Sequence, residues 1–119
     1  MKTLIFSLIF FTQFQLTDQP ISSPAIYPGG TTALIEHVQS NLEYPLSARE
    51  EAIEGIVKVA FIIKTDGTIG SVGIINGLNE ACDAAAKAVV ESMPKWSPAF
   101  QNNIPVRSRL VLSIKFDLG

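Results

Sequence analysis

The chain has one cysteine, one histidine and no long apolar run. A single cysteine excludes an intramolecular disulfide, so the fold must stand on packing alone. A lone histidine without clustered thiols matches no metal-ligand pattern, and no metal or other cofactor is expected. Aromatic residues are few and the net charge is −2. A nucleic-acid partner normally selects a basic surface, so that class is argued against. No internal repeat or low-complexity tract is present. At 119 residues there is room for one domain, and the apolar content is sufficient to give it a core.

The longest apolar stretch, residues 4–11, is far short of the ~20 residues that a spanning helix needs. It follows Met1-Lys2, and one positive charge before a short apolar run is the layout of a secretory signal. Residues 1–17 are therefore expected to be a signal peptide, or a short anchor if uncleaved, standing apart from the fold. No cysteine follows the run, which argues against a lipid-anchored form. Residues 18–30 contain Pro20, Pro24, Pro28, Gly29 and Gly30 and read as a short extended linker. Residues 31–119 are expected to hold the folded domain.

Within it, the segment 55–68, GIVKVAFIIKTDGT, is the organising element. Val57, Val59, Phe61 and Ile63 alternate with residues of mixed character, the period-2 pattern of a strand with one dry face. Thr65-Asp66-Gly67-Thr68 supplies a hairpin turn, with Gly67 free to take positive φ. A second strand is expected at 69–76, weakened by Gly70 and Gly73. Before the pair, 31–42 reads as a helix capped by Thr31 or Thr32, and 46–53 as a shorter one opened by Pro45. After it, 79–93 reads as a long helix with Asn79 as its N-cap and a stripe of Cys82, Ala85, Ala86, Val89 and Met93. Residues 95–104 are expected to be a loop, and 106–118 the last strand. The predicted order is α-α-β-β-α-β: an α+β fold of two layers, a three-stranded antiparallel sheet with helices packed on one face.

These residues resemble a known family. Tyr44-Pro45, Ala48, the run from Gly55 through Val57, Val59, Phe61 and Ile63, and Asp66-Gly67 with Ile69 are similar to the C-terminal domain of TonB proteins. So are Met93-Pro94 with Trp96 and Pro98, the Asn103 to Val106 turn, and the strand ending Ile114-Lys115-Phe116. The resemblance implies a periplasmic, non-enzymatic interaction domain, membrane-anchored if the signal stays on. Its implied partner is a peptide segment of an outer-membrane TonB-dependent transporter, which adds as a strand to the exposed edge of the last strand. The positions implied are Arg107, Arg109, Val111, Ser113 and Lys115 on that strand, with Asn41, Leu42, Glu43 and Tyr44 nearby. A full TonB carries a long Pro-rich spacer, whereas the linker here, at ~3.3–3.6 Å per residue, would not cross a periplasm.

Other chemistry is poorly supported. Cys82 lies on the apolar stripe of a helix, where cysteine acts as a small hydrophobe, and His37 is expected at the surface. Glu50, Glu51 and Glu54 form a solvated charged face without the apolar surroundings that would make one a general acid. No catalytic residue and no small-molecule substrate are expected. Lys58, Lys64, Arg107, Arg109 and Lys115 would project from the outer sheet face, either as a solvated face whose cations discourage edge-to-edge aggregation or as one that steers an acidic partner segment. Two competing uses of the same fold are a homodimer through the last strand and a permanent structural subunit of an envelope assembly.

Overall fold

The computed structural model describes residues 10–15 and 22–118. In chain order the elements are β1 (Phe10–Gln15), α1 (Gly30–Asn41), α2 (Leu46–Glu50), β2 (Gly55–Ile63), β3 (Ile69–Asn76), α3 (Glu80–Glu91), β4 (Ala99–Gln101), β5 (Ile104–Val106) and β6 (Ser108–Phe116). The main sheet runs β1-β6-β2-β3, and β4 with β5 forms a separate hairpin.

β2 is the axis of the domain. It pairs antiparallel with β6 along its whole length, from Gly55 opposite Phe116 to Ile63 opposite Ser108. On its other side it pairs with β3, where register shifts occur at Lys58/Val59 and Ala60/Ile62. Alternation puts Val57, Val59, Phe61 and Ile63 in the core, facing Leu110, Leu112, Ile114 and Phe116 of β6 on the same face. Each such fully buried side chain contributes about 1.5–3 kcal/mol of hydrophobic stabilisation. Helices cover this face and add Leu34 and Val38 from α1, Ala48 from α2, and Cys82, Ala86, Val89 and Val90 from α3. The three strands β6-β2-β3 under helices give the α+β two-layer fold that the sequence pattern predicts.

Local chemistry explains most boundaries. Asn79 caps α3, its side-chain oxygen accepting from the Cys82 N–H at 2.8 Å. The β2–β3 turn closes through Lys64 N–H to the Thr68 carbonyl at 2.8 Å, with Gly67 at φ 89. Asp66 braces it, accepting from the Thr68 N–H at 3.0 Å and the Thr68 hydroxyl at 2.6 Å.

Several expectations need correction. Neither Thr31 nor Thr32 caps α1: its N-cap is Gly29, in the left-handed region, without a side-chain hydrogen bond. α2 stops at Glu50, because Ala52 turns to φ 55 where a helix was expected to continue. The expected loop 95–104 contains β4 and the start of a tight hairpin, whose turn residues Asn102 and Asn103 both take positive φ, at 52 and 65. Asparagine tolerates that region better than most residues, and two in succession suit the primed hairpin turn. Val106 consequently belongs to β5, and β6 begins at Ser108.

The N-terminal region differs most. Residues 22–27 do not run free as a linker. Ser22 and Ser23 donate to the Phe100 carbonyl, and Ile26 and Ser97 exchange backbone hydrogen bonds at 3.0 and 2.9 Å. Ala25 and Tyr27 are buried in the core. Ahead of them, Phe10–Gln15 does not stand apart from the fold but forms β1, the fourth strand of the sheet. The rest of the expected signal, residues 1–9 and 16–17, and its cleavage lie outside the described residues.

Candidate interaction site

β6 carries most of the positions implied for partner binding. Its inward residues, Ser108, Leu110, Leu112, Ile114 and Phe116, are all buried. Arg109, Val111 and Lys115 alternate with them and are half-buried, while Ser113 is only 4% exposed. That is drier than a solvated outer face would be. The cause is pairing on both sides of β6. Ser113 lies opposite Lys58 of β2 on one side and opposite Phe10 of β1 on the other.

The edge expected to be open is therefore occupied. β1 runs antiparallel to β6 with Phe10 opposite Ser113, Thr12 opposite Val111 and Gln15 opposite Ser108. The strand's main-chain groups can thus satisfy a neighbour on its outer side. The described pairing with β1 reaches from Ser108 to Ser113, and that with β2 from Ser108 to Phe116.

The second group of implied positions divides between a recess beside α3 and the core. Asn41 and Glu43 are exposed and line a recess of about 240 Å³ with Ala85, Ala88 and Ser92 of α3. Leu42 and Tyr44 are buried and serve packing. Tyr44 links the segment to β6: its ring meets Phe116 edge-to-face at 5.4 Å, and its hydroxyl donates to the Ile53 carbonyl. Burial, with Glu54 nearby, holds the Tyr44 phenol above its usual pKa, so it remains a neutral donor.

Charge on the outer face is thinner than the sequence suggests. Lys58, Lys64 and Arg107 are exposed. Lys115, however, pairs with Asp117 at 3.5 Å. Ala60, Ile62 and Val111 are half-buried between these cations and make the face amphipathic.

The other singled-out residues have structural work. Trp96 is buried, 5.4 Å from the Tyr27 ring and 5.9 Å from the Phe61 ring, so it is a core element. His37 is half-buried instead of lying at the surface. Its Nε2 donates to the Val89 carbonyl at 3.1 Å, while Asn41 Nδ2 sits 3.3 Å from Nδ1, so the ring bridges α1 to α3. Cys82 is buried and its thiol pKa is raised by that burial, and secondarily by Asp83, which disfavours the thiolate. Neither Cys82 nor His37 lines the recess beside α3 or the larger, apolar one of about 340 Å³ along residues 24–27 and 30–34. Among the described residues no helix is long and apolar enough to cross a membrane, and no cluster of three or more potential metal ligands occurs.

Sequence reasoning missed β1 as a component of this site. The alternation of Phe10, Thr12 and Phe14 with Phe11, Gln13 and Gln15 was masked by the apolar run before it. The β4–β5 hairpin did have a signal, in the Asn102-Asn103 pair.

Comparison with known proteins agrees with the fold. The solution structure of the TonB C-terminal domain of Helicobacter pylori is 22% identical, with a TM-score of 0.56, covering 74% of this chain and 79% of that one. No match is found among curated proteins. The family described as the Gram-negative bacterial TonB protein C-terminal matches residues 40–118. That span contains α2, α3 and strands β2 to β6. The domain of this family is a protein-interaction domain and not an enzyme, and the chain belongs to the TonB C-terminal family.

Proposed function

We propose that this protein is a periplasmic interaction module that takes an extended peptide segment of an outer-membrane transporter by strand addition to β6, in TonB-dependent transport. Membership of the TonB C-terminal family supports the class of partner. The observation that carries the binding mode is the pairing of Phe10–Gln15 with β6, because an edge that holds one added strand has the geometry to hold another. Main-chain pairing supplies affinity, and the amphipathic face around Val111, flanked by Arg109 and Lys115, supplies selection.

The test is affinity capture from an outer-membrane extract with the full chain, followed by identification of what is retained. Capture of a β-barrel transporter through its N-terminal segment supports the reading. Retention of soluble or inner-membrane proteins alone overturns it in favour of an assembly subunit that keeps the fold for another contact.

A further inference from the structure

We propose that β1 is a built-in occupant of the β6 edge, which keeps the edge closed to a partner peptide until Phe10–Gln15 is displaced or removed. This rests on the strand-addition reading and adds its control. Three features of the chain support it.

The pairing is continuous over six residues, from Phe10 opposite Ser113 to Gln15 opposite Ser108. The segment FFTQFQ carries no charge, so this pairing is insensitive to salt, unlike the approach of an acidic peptide to the cations beside β6. The connection is also short and anchored at the matching end. β1 finishes opposite Ser108, the first residue of β6, and the chain is held again at Ser22 and Ser23 by the Phe100 carbonyl in the hairpin that leads into β6. Residues 16–21 alone join the two points. A short tether presents the strand to its own edge at an effective concentration on the order of mM.

A partner peptide therefore competes for the edge with an uncharged six-residue strand paired from Ser108 to Ser113.

The experiment uses the full chain and a Thr12→Pro/Gln13→Pro variant. Adjacent N–H groups in a strand point to opposite sides, so one of the two prolines removes a donor facing β6. Two quantities are read: hydrogen exchange at the β6 amides, and binding of a labelled synthetic peptide with the sequence of residues 9–16, flanked by lysines for solubility. The amides of β6 that face β2 report whether the variant is folded.

In the folded variant, the alternate amides between Ser108 and Ser113 should lose protection, and the probe should bind at least about tenfold more tightly than it binds the native chain. Unchanged protection of those amides, or equal probe affinity for both chains, overturns the built-in occupant and leaves strand addition standing. Exposed amides with no probe binding to either chain instead overturn strand addition itself.

Discussion

The Trp96 N–H donates to the carbonyl of Gly67 at 2.8 Å, which fastens the β2–β3 turn to the segment leading out of α3. The approach is so close that a Cβ on Gly67 would sit 1.9 Å from the Trp96 carbonyl oxygen. Gly67 also has φ 89, a conformation that side chains disfavour. Gly67→Ala therefore meets a backbone clash and a strained dihedral together. We expect a loss of about 2–4 kcal/mol in urea unfolding, with a changed Trp96 fluorescence in the folded state.

Asp66 gives the same turn a pH dependence. Hydrogen bonds from the Thr68 side chain and backbone, in that order, hold its carboxyl below the usual range. A depressed folded pKa means that its stabilisation is present above the unfolded value of about 3.9 and is lost as pH falls through the folded value. The stability gap between the native chain and Asp66→Asn should accordingly be full at neutral pH and narrow on acidification below about pH 4. A gap that widens in acid contradicts the assignment.

Asn79 satisfies an otherwise orphaned N–H at the start of α3. Asn79→Ala should cost about 1 kcal/mol by chemical denaturation. Asn79→Ser should recover much of it, because the hydroxyl can accept in the same place.

The Cys82 thiol is buried and its thiolate is disfavoured. A disulfide reagent at neutral pH should label it only through opening of the domain, so the labelling rate should rise with added urea. Labelling at the rate of a free thiol would show that α3 is loose.

Electrostatic attraction to β6 has a kinetic signature. Arg107→Glu/Arg109→Glu should slow association of an acidic transporter segment by about tenfold at low salt and flatten its salt dependence. An unchanged association rate excludes a steering role for this end of the strand.

The alternation in β2 and β6, the Asp-Gly turn and the Asn79 cap made the central sheet and α3 legible in the sequence, since each is a local rule that the packing does not oppose. Of the alternating face that the sequence predicts to be dry, Val106, Ser108, Leu110, Leu112, Ile114, Phe116 and Leu118, the five from Ser108 to Phe116 are buried, while Val106 and Leu118 at its ends are half-buried. What escaped is non-local. Tyr27 reaches the core because residues 22–27 dock on the segment 97–100, some 75 positions away, and no periodicity encodes that contact. The position of Asn41 and Glu43 beside α3 likewise depends on how helices lie over the sheet. Phe10–Gln15 illustrates a third limit. An apolar segment at a chain start carries an export reading and a strand reading in the same letters, and only its pairing with β6 shows the second.

The central claim is strand addition at β6, and the most direct measurement is backbone amide exchange of the full chain with and without a synthetic peptide from the N-terminal segment of a transporter of the same envelope. The account predicts new protection at alternate amides of β6, with release of β1. Binding that protects the recess at Asn41, Glu43 and α3 while leaving the β6 amides unchanged would contradict it.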